Sequence, residues 1–171
     1  MRNFIKVLIG FFAILLFRLS PFRIPNVEPI MALQMPFAKK FGKLSAFLFG
    51  FLSIAIYDLF VPVGLEMLLI TAITYGCIGI VAGVFFKNFH LTNKTRNYIV
   101  FTVFATIFYD LVTGVLVAPL FGQSIVVAFM LQIPFTVNHL IGNILVAFMS
   151  PYVYKWVASN KKFELNFSFS R

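Results

Sequence analysis

The chain has 171 residues, 61% of them hydrophobic, with 24 phenylalanines and only 14 basic and five acidic side chains. So apolar a composition excludes a water-soluble domain, and at about 20 residues per crossing the length accommodates six or seven membrane spans with no separate soluble domain. The formal net charge of +9 would point to nucleic acid in a soluble protein, but membrane proteins gather basic residues in their cytoplasmic loops, and nucleic acid is therefore not expected as a partner.

The first apolar run covers 4–19, behind Arg2 and Lys6. Arg18-Leu19-Ser20-Pro21 offers no small-residue cleavage site, so this run reads as a retained first helix. A proline-rich link follows, with Pro21, Pro25 and Pro29 around Arg23, Asn26 and Glu28; it should form a stiff, non-helical cap. The second run, 27–38, holds only a dozen residues, fewer than the ~17 usually needed to cross. The remaining runs cover 42–60, 65–86, 98–120 and 126–156, the last broken by Pro134, and a basic tail occupies 158–171. Cys77, the single cysteine, lies in an apolar run, which leaves no disulfide framework and no cysteine metal site.

Charge decides whether the second run crosses. If all six do, with the N-terminus inside, 12 of the 14 basic residues fall on the cytoplasmic side and only Arg18 and Arg23 lie outside. Omitting the second crossing would put Lys39, Lys40 and Lys43 outside and invert everything after them. The expected fold is therefore an all-α membrane protein: one six-helix bundle over 1–157 with both termini cytoplasmic.

In that topology Glu28, Asp58, Glu66 and Asp110 all map to the outer half, and only Glu164 is inside. Charged groups in spanning helices normally face a cavity or a partner. A weak internal repeat accompanies them: Ser53 to Leu59 matches Ala105 to Leu111 at an offset of 52 residues, sharing Tyr-Asp-Leu. The aspartates are either solvated helix ends or members of a polar site.

The densest polar cluster inside an apolar run is Gln132, Thr136, Asn138, His139 and Asn143. Helical spacing puts His139 and Asn143 on one face with Thr136 beside them. These side chains either bond neighbouring helices or hold a polar ligand in an outward cavity, together with Arg18, Arg23, Asn26, Glu28, Asp58 and Asp110. Small residues at Gly42, Ala46 and Gly50 have the four-residue spacing of close helix approach, through internal packing or by docking another membrane subunit. No phosphate-binding loop, zinc helix or nucleophile elbow occurs, so neither a metal nor a cofactor is expected.

Four features together resemble the membrane-embedded S component of energy-coupling factor transporters. They are Pro25-Asn26-Val27-Glu28-Pro29, the third segment ending in Tyr57-Asp58-Leu59, the stretch Tyr109-Asp110-Leu111-Val112-Thr113-Gly114, and Pro134 to Asn143. The resemblance implies six helices, capture of a vitamin or related micronutrient in the outer half of a prokaryotic cell membrane, and no enzymatic activity in this chain. It also implies association with a transmembrane coupling subunit and two cytoplasmic ATPases, with toppling of the S component in the bilayer. Where many members carry Ala-x-x-x-Ala on the first helix for docking, this chain has Gly10 and Ala13. Two other readings stay open at this point: an intramembrane enzyme using Asp58, Asp110 and His139 as acid and base groups, or a structural subunit of a membrane complex.

Overall fold

The computed structural model describes residues 2–22, 27–61, 63–88 and 94–159, and these are all-helical, with no strand among them. Seven α-helices follow in order: α1 (Arg2–Leu19), α2 (Ile30–Phe41), α3 (Lys43–Asp58), α4 (Leu65–Asn88), α5 (Thr95–Asp110), α6 (Ile125–Ala147) and α7 (Ser150–Ala158). Between α5 and α6 the chain runs through a π-helix, Leu111–Leu116, and a 3-10 turn, Ala118–Phe121. Three stretches, Leu65–Lys87, Thr95–Phe121 and Ile125–Ala147, are each long and apolar enough to cross a bilayer unaided. Large apolar side chains such as Phe104, Phe129, Met130 and Leu131 face outward, as a lipid-bathed surface requires. Residues 160–171, most of the expected tail, lie outside the described residues, as do Arg23 and Asn26.

The shortest of the first six helices is the most enclosed. At 1.5 Å per residue the 12 residues of α2 reach about 18 Å, and from Ile30 to Ala38 all but Leu33 are buried. α3, α4 and α7 pack on it most extensively and α1, α5 and α6 touch it more lightly, so its apolar surface is spent on protein rather than lipid. Inside this core Gln34 donates from Nε2 to the carbonyls of Ala46 on α3 (3.0 Å) and Tyr75 on α4 (2.7 Å). Glycines make room for that amide. A Cβ on Gly50 would lie 2.8 Å from the Tyr75 carbonyl oxygen, and one on Gly79 would lie 2.5 Å from that of Ala46. The outcome is the most extensive helix pair of the fold, α3 against α4.

Two differences from the sequence reading concern proline. Pro134 does not break its segment: α6 continues through it from Ile125 to Ala147, because one missing N–H is tolerated inside a long apolar helix. The break falls instead at Phe148 and Met149, just before Pro151. There the chain turns so that Ser150, Pro151 and Val157 are buried and α7 lies against α2. Lys6 on α1 completes the turn. Its ammonium, 7% exposed, donates to the carbonyls of Trp156 (2.8 Å), Val157 (3.1 Å) and Ser159 (2.7 Å) at the end of α7. These are C-terminal groups a helix leaves unbonded, so the first and last helices are joined at one pole.

That pole also holds Lys39, Lys40, Lys43 and Lys87, while Arg18, Glu28, Tyr57 and Asp58 meet at the opposite one.

Gly50→Ala tests the packing of α3 on α4. Alanine usually favours a helix over glycine by about 0.5–1 kcal/mol, but overpacking costs roughly 1–3 kcal/mol, so a lower melting temperature in detergent is expected. Gly64→Ala, at an exposed loop position, should leave the melt within error. A stabilised Gly50→Ala protein would mean that α3 and α4 are not in this close register.

Candidate functional site

At the pole opposite the lysines, five helices turn polar side chains toward one another. From α1, Arg18 lies over the Tyr57 ring, 4.0 Å from its centroid, and its Nε is 3.9 Å from the Glu28 carboxylate. From α3, Asp58 accepts a long bond of 3.4 Å from the Thr71 hydroxyl of α4. Deeper in, the rings of Tyr75 (α4) and Tyr109 (α5) touch, with centroids 4.6 Å apart. Glu28, Arg18 and Asp110 are near enough to act electrostatically on both tyrosines.

The floor is built from α5 and α6. His139 Nδ1 is 2.8 Å from Asp110 Oδ1, and both residues are at most 2% exposed. Nδ1 and the carboxylate share this hydrogen bond, which leaves Nε2 directed elsewhere. Phe135 and Tyr109 hold the imidazole edge-on, at ring centroid distances of 5.6 and 5.8 Å. One turn along α6, Asn143 donates to Thr106 Oγ1 (2.9 Å) and accepts from the Glu28 backbone N–H (3.2 Å). A single amide thus ties the start of α2 to α5 and α6.

Several buried polar atoms of this cluster have no hydrogen-bond partner among the described residues: Arg18 Nη1, Tyr75 Oη, Asp110 Oδ2 and His139 Nε2. An unsatisfied buried group costs about 1–3 kcal/mol, and native cores leave few of them. Four around one aromatic pair form a set of donors and acceptors suited to a neutral, hydrogen-bonding molecule. Arg18 stands against Glu28, and Asp110 is bonded to His139.

The residues expected from the sequence divide into those the fold gathers and those it does not. Arg18, Glu28, Asp58, Asp110, His139 and Asn143 converge as described. Asn138 is exposed on the face turned away from His139. Gln132 is half-buried, bonded by its Nε2 to Thr136 (3.4 Å) and packed against Gly114 of the π-helix, with Thr136 lining a lateral cavity of about 410 Å³ that reaches Asp110. Of the small residues considered for docking, Gly10 packs under Phe37, Ala46 and Gly50 surround Gln34, Ala13 is exposed, and Gly42 turns the chain between α2 and α3 with φ +88°. Tyr75 and Thr106 belong to the site but were not anticipated. The signal for Tyr75 was a run of Thr71, Thr74 and Tyr75 inside an apolar helix, with 71 and 75 one turn apart.

No curated protein and no solved structure matches the chain significantly. A family model does, over residues 5–155, and its description is ECF-type riboflavin transporter, S component. That family supplies a transport subunit rather than an enzyme, with a small-molecule substrate and transporter partners. With nearly all of its length matched, the chain belongs to the ECF-type riboflavin transporter S component family and is the substrate-specific membrane subunit of an energy-coupling factor transporter.

Proposed function

We propose that the chain binds riboflavin between α1, α4, α5 and α6 at the pole opposite the lysines. The unpaired buried atoms around the Tyr75 and Tyr109 rings carry this reading. A flavin offers a flat heteroaromatic ring to stack on tyrosines, an edge of carbonyl and N–H groups for Asp110, His139 and Tyr75, and a chain of hydroxyls for the Arg18 and Asn143 end. It is uncharged, so its entry buries no additional charge. Binding requires the two touching rings to part, and aromatic contact with the ligand replaces their mutual contact.

The uptake cycle then follows the family pattern: capture outside a prokaryotic cell membrane, followed by association with a coupling subunit whose two ATPases supply the energy. The same reading has the chain crossing six times with both ends in the cytoplasm. Lys6 joining α1 to the end of α7 supports it, since the two helices then end at one surface.

Tyr75→Phe gives the sharpest test, because it removes only the unpaired hydroxyl. Riboflavin affinity, followed by quenching of flavin fluorescence in detergent, should fall about tenfold, as for a lost buried hydrogen bond, while the melting temperature holds or rises. Asn138→Ala should bind like the parent. Unchanged affinity in Tyr75→Phe, or no flavin retained by protein purified from riboflavin-fed cells, would overturn the assignment.

Sidedness has its own measurement. In a Cys77→Ser background, a membrane-impermeant maleimide applied to intact cells should label Glu66→Cys and Gln123→Cys and spare Lys40→Cys and Lys94→Cys. The reverse pattern would exclude this topology.

A further inference from the structure

The pole away from the site carries a second built feature. A cavity of about 840 Å³ opens between the end of α2, the start of α3, the end of α4 and α7, and is lined by Lys39, Lys40, Lys43 and Lys87 with no described carboxylate among its lining. Lys39 is held over the rings of Tyr154 (4.6 Å to the centroid) and Phe86 (5.7 Å), which fixes one wall. Lys40, Lys43 and Lys87 are exposed at the rim. Gly83 allows the approach, since a Cβ there would lie 2.8 Å from Lys43 Cα.

A general preference for lysine on the inner face explains basic residues at helix ends, and Lys39, Lys40 and Lys87 also suit the C-termini they occupy. The same preference covers Lys43, but helix polarity does not. This lysine is the first residue of α3, where the helix dipole disfavours a cation and favours an anion. An anion in the cavity resolves that conflict and answers Lys40, Lys43 and Lys87 together.

We propose that this cavity binds the phosphate of an anionic phospholipid headgroup. The shared chemistry is a phosphate-bearing anion, and the surroundings favour the lipid over a soluble source. Val84 of α4 lines the cavity, and one turn toward the membrane interior Val81 lines a second, apolar cavity of about 320 Å³ with Ile78, Phe101 and Phe104. Val81 and Val84 are exposed, 55% and 41%. Headgroup pocket and acyl path thus follow one helix edge. The inner-leaflet placement rests on the six-crossing reading above; the binding chemistry does not.

Native mass spectrometry of the full chain in detergent, titrated with dioleoyl-phosphatidylglycerol or dioleoyl-phosphatidylcholine, tests the proposal without reference to sidedness or to riboflavin. The anionic lipid should be retained strongly and the zwitterionic one weakly, and millimolar inorganic phosphate should not displace it. Each lysine near an anionic surface is worth about fivefold, so Lys40→Gln/Lys43→Gln/Lys87→Gln should weaken retention on the order of a hundredfold. The charge-matched Lys94→Gln/Arg96→Gln/Lys155→Gln protein should retain the lipid like the parent. Equal retention of both lipids, displacement by phosphate, or equal loss in the two triple variants would each overturn the assignment. Riboflavin binding measured on the same samples is expected to be unaffected, so failure of the vitamin site and failure of the lipid site read out separately.

Discussion

A single amide in the middle of the bundle sets the geometry of the rest. Gln34 has no water to bond with at its depth, and its two donor hydrogens reach the backbone of two different helices, at Ala46 and Tyr75. The contact is possible only where those helices lack side chains, at Gly50 and Gly79. Once made, it holds α3 and α4 to α2 at a fixed height and rotation. The carbonyl of Tyr75 is one of the two anchors, and its ring is therefore presented at a defined angle to Tyr109. The same core that determines the fold thus aims one wall of the proposed substrate site.

Much of this was legible in the sequence because membrane insertion writes simple rules into it. The siting of lysines at one pole and carboxylates at the other follows from charge counting, and the i, i+4 relation of His139 and Asn143 from helical period. Local pattern did not reveal contacts between distant segments. Nothing in Thr106 itself says that it faces Asn143, 37 positions away. Asn138 shows the converse. It is polar, it adjoins His139, and it points outward, because one residue along a helix is a rotation of about 100°. Pro134 and Pro151 look alike in sequence, and only the packing of α7 on α2 makes the second a break. The second segment, too short by length alone, is short because it is wrapped by protein.

The two Tyr-Asp-Leu copies show how a repeated motif acquires different roles. Asp58 and Asp110 are both the last residue of an α-helix. After Asp58 the chain leaves the bundle in a turn, and the carboxylate stays half-buried. After Asp110 the helix widens into a π-turn instead of ending, which carries the polypeptide onward and keeps the carboxylate 1% exposed against His139. The wider turn also seats Gln132 against Gly114. π-Segments recur at functional sites because the extra residue per turn redirects side chains, and here it separates a half-buried aspartate from a fully buried one.

The bond from Lys6 to the end of α7 has a consequence for the order of assembly. Lys6 is made with α1, and the carbonyls it binds lie 150 to 153 positions later. At 5–20 residues per second, the interval between making the cation and making its acceptors is roughly 8 to 30 s. Until its acceptors are made, α1 is joined to its neighbours chiefly through α3, once that helix has followed it. The end of α7 closes this contact, so a nascent chain stalled or cut before Trp156 would hold every described residue of the polar cluster while α1 still lacked its bonds to α7.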